Sequence, residues 1–459
     1  MAKKTINKEL TGAQDLYNFL FEACNIIRGP VSQDNFKDYI TPLLYYKRIS
    51  DVYDEETEEA LMSSGGDKEY ASLPEQHRFV IPDGCHWQEV RERTENLGAA
   101  IVGAMRQIEI ANPDTLYGVL SMFSSQKWTN KAILNDSKIR DLIEHLSKRK
   151  LGNKDYPADL MGDAYEILLK KFADDSKAQA GEFYTPRSVV RLLVHILDPQ
   201  PGETVYDPAC GSGGMLIEAI RYMHDDSLCC GSIFGQEKNV VNAAIAKMNL
   251  FLHGSSDFNV MQGDTLRDPK ILQGGNIAKF DCVIANPPFS LENWGATEWS
   301  SDKYKRNIYG TPSDSCGDYA WIQHMICSMS SGKGRMAVVM PQGILFRGNQ
   351  EAEIRKQLVE SDLIEAVVTL GDKLFYGTGL SPCFLIIRRM KPAHHSGRIL
   401  MIDGSKILTQ KRAQNILEEN DIDRLYSLYQ NYSDEEDYSR IVTLQEIRDK
   451  EYNLSPNRY

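Results

Sequence analysis

At 459 residues, with 42% hydrophobic and 25% charged side chains, the chain exceeds what one compact core organises and reads as an ordinary soluble protein of two or three domains. No apolar run is long enough to span a bilayer, the start Met1-Ala2-Lys3-Lys4-Thr5 has no apolar signal core, and nine cysteines without a C-x-x-C pair read as reduced thiols, so a membrane protein and a zinc site are excluded and a cytoplasmic protein is expected. The formal net charge of −12 argues against a chain that finds nucleic acid alone, because neutralising phosphates supplies most nonspecific affinity.

Residues 1–150 carry helical periodicity and almost no strand signal. Phe36, Ile40, Leu43, Leu44, Ile49, Val52 and Tyr53 recur at broadly helical spacing, with a kink expected at Pro42. The following Asp54-Glu55-Glu56-Thr57-Glu58-Glu59 reads as a solvated acidic face. Trp87 to Ile108 and Leu134 to Leu146 predict further helices, and the basic run Lys148-Arg149-Lys150 reads as a linker into the next domain.

From residue 151 to 405 strand and helix patterns alternate, which predicts a doubly wound parallel sheet. Glu203-Thr204-Val205-Tyr206 is a strand that runs into Asp207-Pro208-Ala209-Cys210-Gly211-Ser212-Gly213-Gly214 and then an amphipathic helix. Glycines after a strand let backbone approach a ligand, and the helix start offers free amides. The turn is neither the dinucleotide fingerprint nor a P-loop, and Asp207 at its tip suits an amino-acid ammonium better than a pyrophosphate. A second strand, Ser232 to Gly235, ends in Gln236-Glu237, where a carboxylate suits ribose hydroxyls; the connection from Asp207, with a loop at His224 to Ser227, is longer than usual. A third, Phe258 to Gln262, ends in Gly263-Asp264. Each acid alone reads as a turn or cap; three in order on successive strands predict one crevice at the carboxyl edge of the sheet.

The apolar run Phe280 to Ala285 then stops at Asn286-Pro287-Pro288-Phe289. Two prolines lack backbone donors and force an extended exit. The strand end therefore presents one amide, outward carbonyls and one ring, a receptor for a flat group bearing an exocyclic amine. The Asn286 oxygen and the Pro287 carbonyl accept the amine protons and Phe289 stacks on the ring plane. The polar loop from Asn293 to Cys316 mixes Trp294 and Trp299 with Lys303, Lys305 and Arg306, a composition that suits a lid over a nucleic-acid strand and equally a floppy surface loop. Later strands follow at Met336 to Met340, Leu363 to Leu370 and Cys383 to Ile387. Cys210 and Cys282 read as packing residues. Residues 406–459 form a helical tail with Ile422, Leu425, Tyr426 and Tyr429 on one face, a stripe that either packs back on the sheet or docks on a partner.

Asp-Pro-Ala-Cys-Gly-Ser-Gly, the Glu237 tip and Asn-Pro-Pro-Phe together resemble the amino-group methyltransferases of the DNA adenine-N6 branch. Gly181-Glu182-Phe183-Tyr184-Thr185-Pro186-Arg187 is similar to the cofactor motif of the modification (M) subunit of type I restriction-modification systems. Tyr39 to Asp51 and the closing Tyr452-Asn453-Leu454-Ser455-Pro456-Asn457-Arg458-Tyr459 resemble the same family at the two ends. The resemblance implies a seven-stranded S-adenosylmethionine-dependent methyltransferase sheet over 151–405, an N-terminal helical domain over 1–150 for DNA and partner contacts, and a tail over 406–459 that docks a partner. It implies S-adenosyl-L-methionine as cofactor. Glu182, Phe183, Tyr184, Thr185, Pro186 and Arg187 would lie along its methionine portion, Asp207, Ser212, Gly213 and Gly214 around the amino acid, Glu237 on the ribose and Asp264 near the adenine. Asn286, Pro287 and Phe289 would act on the target adenine, flipped out of double-stranded DNA. The implied partners are a specificity (S) subunit shared by two copies of this chain and a restriction (R) subunit in the full complex, in a bacterial or archaeal cytoplasm. Protein-glutamine and RNA-guanine methyltransferases share the Asn-Pro-Pro-aromatic tip but not the flanking segments, and a catalytically silent scaffold has no need of an intact Asn286 and Phe289.

Overall fold

In the computed structural model, which describes residues 2–116, 118–120, 125–175, 185–223, 232–255, 257–375, 381–411 and 414–459, the N-terminal periodicity becomes helices. One unit takes in 1–178 with 247–254, the other 179–246 with 255–459.

In the first unit, Ala2–Ile27 packs against Asp136–Leu146 and Ala158–Asp175. Lys37–Ser63 runs on through Pro42, which removes one backbone donor near the start without ending the helix. The expected single helix from Trp87 to Ile108 is two, Trp87–Glu92 and Leu97–Ala111. The break is at Asn96, whose φ is +53°, and the Asp136 carboxylate accepts the Asn96 and Leu97 amides at 3.1 Å each. Asn135 caps the next helix by accepting the Lys138 amide at 3.0 Å, so that helix starts at Asp136.

The expected solvated acidic face is only partly solvated. Glu55 is buried and its two oxygens accept the Asn153 amide at 2.6 Å and the Lys154 amide at 3.1 Å. One turn earlier Asp51 accepts the Leu151 amide at 2.6 Å, and Arg48 donates to the Tyr156 carbonyl at 3.0 Å. Segment 151–156 is thus cradled on Lys37–Ser63, and Ala158–Asp175 buries Met161, Ala164, Tyr165 and Leu168. These contacts carry the first unit past the boundary expected at residue 150.

The second unit is built on a mixed sheet. Its strands in chain order are β1 Val205–Asp207, β2 Ile233–Glu237, β3 Phe258–Gln262, the small hairpin β4 Leu272–Gln273 and β5 Asn276–Ile277, then β6 Cys282–Ala285, β7 Arg335–Pro341, β8 Ile364–Leu370, β9 Pro382–Arg388, β10 Arg398–Gly404 and β11 Ser439–Thr443. The hairpin stands apart; the other strands lie in the order β11-β10-β8-β9-β7-β6-β1-β2-β3. Neighbours from β3 to β7 are parallel, β9 is antiparallel to both β7 and β8, and β10 returns parallel to β8. β6, β7 and β8 are buried along their whole length, as befits strands covered on both faces. The seven-stranded doubly wound sheet is present and is extended by β10 and β11. The run Ile399-Leu400-Met401-Ile402 inside β10 is a short apolar signal that the sequence reading passed over.

That extension gives the tail over 406–459 a surface to pack back on. Helix Glu419–Asn431 packs on helix Arg187–Leu197 and on β10, burying Ile422, Leu425 and Leu428. The Tyr429 hydroxyl donates to the Glu365 carboxylate at 2.7 Å, and β11 pairs antiparallel with β10. Ile422 and Leu425 of the apolar stripe are buried inside the unit, while Tyr426 and Tyr429 are half-buried. The segment from Asn293 to Cys316 folds onto the unit and is not a floppy surface loop. Trp294, Trp299 and Arg306 are each 2% exposed. Arg306 donates to the carbonyls of Thr265 at 2.8 Å and Leu266 at 2.7 Å, pairs with Asp302 at 2.7 Å and lies 4.4 Å from the Trp299 ring. Among the described residues no helix is long and apolar enough to cross a membrane.

Removing one partner from a buried charge-paired network strands the other. Arg306→Ala is expected to cost about 3–5 kcal/mol of stability, read as a fall in the urea midpoint of the second unit; a shift below about 1 kcal/mol would show that Arg306 is dispensable to the loop.

Candidate active site

Parallel pairing puts the carboxyl ends of β3, β2, β1 and β6 side by side on one sheet edge. From β1 the chain proceeds outward to β2 and β3, and from β6 the other way to β7, so the order reverses between β1 and β6. That switch point is where open α/β sheets form their ligand crevice. Asp207 ends β1 on one side of it and Asn286 follows β6 on the other.

Asp207 is 2% exposed and accepts the Ala209 amide at 2.9 Å. Burial pushes its carboxyl up to about 8; the Ala209 amide opposes this and the nearby Glu237 charge adds to it. Gly211 and Gly213 take φ of +53° and +84°, a backbone that other residues reach only with strain, and a side chain added at Gly211 would meet open space. Glu237 reaches back to this turn. One oxygen accepts the Gly211 amide at 2.9 Å and the other the Asn239 amide at 2.7 Å, while burial raises its carboxyl above the usual range against the pull of those amides. Asp264 caps its own turn through the Leu266 amide at 3.2 Å and pairs with Lys238 at 2.9 Å. Ser212 and Gly214 flank Gly213 at the start of helix Gly214–Met223.

At the β6 end, the Asn286 Nδ2 donates to the Thr185 hydroxyl at 2.8 Å. The Asn286 Oδ1 is buried and has no hydrogen-bond partner among the described residues. A buried acceptor left unmade costs about 1–3 kcal/mol, a cost that a bound donor would relieve. Pro287 is buried and Phe289 half-buried, its ring 6.3 Å from that of Phe375. Arg187 is exposed at the start of helix Arg187–Leu197, with Pro186 before it. Gly181, Glu182, Phe183 and Tyr184, and the loop expected at His224 to Ser227, lie outside the described residues. Cys210 and Cys282 are buried, and burial raises both thiols, which leaves them as packing groups.

The structure therefore brings Asp207, Gly211, Gly213 and Glu237 into contact around one turn, and Asn286 into contact with Thr185. Three bracing residues escaped sequence reading. Gln236 is fully buried, accepting the Lys270 amide at 2.9 Å and donating to the Asp268 carbonyl at 3.0 Å. The Thr265 hydroxyl donates to the Pro208 carbonyl at 2.6 Å, tying the β3 exit to the glycine turn. Asp318 accepts the Ser290 amide at 2.7 Å just beyond Phe289. A polar residue at a strand tip signals Gln236; Thr265 and Asp318 have no local signal, since their partners are remote in sequence.

The elevated Asp207 carboxyl has a consequence for stability. Between its ordinary value of 3.8 and about 8 the folded, ligand-free protein holds a proton that the unfolded chain has released, so stability falls as pH rises through that window and levels off above it. Asp207→Asn removes this titration. Its unfolding midpoint is expected to gain on the wild type steadily from about pH 5 to about pH 8, and parallel midpoints would refute the assignment.

Residues 156–459 match the family model described as N-6 DNA methylase, and residues 16–146 match the HsdM N-terminal domain. The type I restriction enzyme MjaVII methylase subunit of Methanocaldococcus jannaschii is 35% identical over 91% of this chain and 73% of that protein. The HindI methylase subunit of Haemophilus influenzae is 31% identical over 76% of this chain and 75% of its own length. The solved type I restriction-modification methyltransferase subunit from Streptococcus thermophilus superposes with a TM-score of 0.83 at 26% identity, covering 97% of this chain and 99% of that one. Matched over both units, the chain belongs to the N-6 DNA methylase family and is an M subunit of the type I restriction-modification class, an adenine-specific DNA methyltransferase.

Proposed function

We propose that this chain transfers a methyl group from S-adenosyl-L-methionine to N6 of an adenine flipped out of double-stranded DNA, at a sequence chosen by a separate specificity subunit. The observation that carries the reading is the unpartnered, buried Oδ1 of Asn286 at the switch point of the sheet. An amine donor is what that oxygen lacks. The bound cofactor supplies an activated methyl on a sulfonium; the protein's part is binding, alignment and exclusion of water.

The residues opposite Asn286 fit that cofactor. Asp207 offers a carboxylate to an ammonium, Glu237 offers one to ribose hydroxyls, and the open face of Gly211 leaves room for close approach. Asp264 lies at the next strand exit, toward the adenine, and Ser212 to Gly214 line the turn. Thr185, Pro186 and Arg187, with Glu182 to Tyr184 before them, complete the methionine side. The Thr185 hydroxyl holds the Asn286 amide so that its oxygen, not its nitrogen, is available.

Adenine N6 is a poor nucleophile because its lone pair is conjugated with the ring. Acceptance of its two protons by Asn286 Oδ1 and the Pro287 carbonyl favours a more tetrahedral nitrogen with the lone pair free. Phe289 fixes the ring plane, and the two prolines keep the strand end from yielding. Orientation of this kind contributes about 7–11 kcal/mol of barrier reduction in well-aligned cases. The base must leave the duplex to reach the pocket.

The net charge of −12 and the names of the relatives, type I restriction enzyme methylase subunits, support a division of labour in which another subunit reads sequence and a restriction subunit cleaves. We take two copies of this chain per specificity subunit as the working stoichiometry. In the tail, Ile422 and Leu425 are already buried, so a partner docking there would meet the half-buried Tyr426 and Tyr429 and the exposed residues beside them.

Asn286→Ala is expected to lower methyl transfer by about 10²–10³-fold, the effect of removing one preorganised group at a reacting centre, with cofactor affinity changed by less than about 0.5 kcal/mol. Calorimetric titration and labelled-methyl transfer on one preparation separate the two, and wild-type turnover in the variant would end this mechanism. The chain alone is expected to bind DNA in the nonspecific range of about 10⁻⁴–10⁻⁶ M and to gain at least about 10³-fold, with sequence preference, beside its specificity subunit. Methylation of one defined sequence by the isolated chain, mapped by modification-aware sequencing, would replace this reading with a stand-alone enzyme.

A further inference from the structure

We infer that Asp318 is a positioning residue for methyl transfer, holding the backbone beyond Phe289 and anchoring it to the turn after β7 through Arg347. The inference rests on the roles proposed above for Asn286 and Phe289.

Asp318 is the first residue of helix Asp318–Ser328 and is 0% exposed. A carboxylate buried to that extent needs partners for both oxygens. Oδ1 accepts the Ser290 amide at 2.7 Å; Oδ2 pairs with Arg347 Nη2 at 2.9 Å and accepts the Cys316 thiol at 3.3 Å. The start of a helix also favours negative charge. Cys316, Asp318 and Glu351 have ligand atoms close enough together to hold a metal ion, but the Arg347 guanidinium already lies among them, 2.8 Å from Cys316 Sγ and 3.0 Å from a Glu351 oxygen. The group is a socket for Arg347.

What the socket holds is the exit of the Asn-Pro-Pro-Phe segment. Ser290 has a φ of +50°, in the left-handed region that a non-glycine residue occupies at a cost unless its surroundings impose it. The Asp318 bond to its amide imposes it and so sets the direction in which the chain leaves Phe289. β6 and β7 are adjacent, Ala285 pairing with Val338, so Asp318–Arg347 ties the end of one strand to the turn that follows the next. Asn286 is anchored separately, through Thr185. Amide and ring of the same tetrapeptide thus have different anchors. The surrounding loop has its own backbone latches, Gly317 to the Leu291 carbonyl at 3.0 Å and Asn293 to the Asp314 carbonyl at 2.8 Å. A change at Asp318 therefore loosens Ser290 without releasing the loop.

Two near-isosteric variants distinguish positioning from a plain ion pair. Asp318→Asn keeps an acceptor for the Ser290 amide and loses the charge facing Arg347. Asp318→Glu keeps the charge and displaces the acceptor. In the full chain co-purified with its specificity subunit, cofactor Kd is measured by titration, and kcat at saturating DNA is normalised to the fraction of chains that bind cofactor. Positioning predicts kcat within about tenfold of wild type for Asp318→Asn and about 10²-fold lower for Asp318→Glu, with cofactor Kd within about twofold in both. Wild-type kcat in Asp318→Glu, a larger loss in Asp318→Asn than in Asp318→Glu, or losses in kcat matched by losses in cofactor affinity would each overturn it. Asn286→Ala in the same assay separates the two claims. If it is silent while Asp318→Glu turns over normally, only the Asp318 inference fails; if Asn286→Ala turns over normally, the underlying reading fails.

Discussion

Parallel hydrogen bonding of β1 to β2 on one side and to β6 on the other is the constraint on which the site depends. Parallel neighbours cannot be joined by a tight hairpin, so each strand must hand over to a crossover before the next begins. All their carboxyl ends then fall on one edge, with a turn at each. Asp207, Glu237, Asp264 and Asn286 come from four different turns, yet the ladder leaves them no other edge to occupy. The order of the sheet reverses between β1 and β6, the place where open α/β sheets bind their ligands.

The groups at that edge are held in states that a merely stable protein would avoid. Asp207 is a carboxyl driven toward its neutral form by burial, and Glu237 is raised in the same direction while its oxygens accept amides of the glycine turn. Asn286 carries a buried oxygen without a partner among the described residues. Each is unfavourable in the ligand-free protein, and in the proposed reading each is met by a polar or charged group of a ligand. The cost is supported by the strands behind them, which are buried on both faces.

Around the crevice, elements that look peripheral in the chain are structural. Arg306, in the segment after Phe289, reaches carbonyls beyond β3, so Trp294, Trp299 and Arg306 are core, while Lys303 and Lys305 stay exposed. Helix Glu419–Asn431 and β11 close over β10 at the far end of the sheet.

The sequence by itself determined the alternating strand-and-helix plan, the glycine turn, the acidic strand tips and the rigid Asn-Pro-Pro-Phe end. Each is a local effect: glycine frees the backbone, proline removes a donor, and apolar runs of strand length must be buried. It also made the N-terminal region helical, though Asn96 broke one expected helix through a backbone angle that no periodicity reports. Only the tertiary structure decided what depends on partners far apart in the chain. Asn286 meets Thr185 across 101 residues, Asp318 meets Ser290 across 28, and Glu55 meets segment 151–156 across about 98. Whether the stripe of Ile422 and Leu425 faces a partner or its own sheet was likewise open until β10 supplied a surface. An amphipathic face records that it must be buried, not against what; hydrogen bonds and packing across the folded chain make that choice.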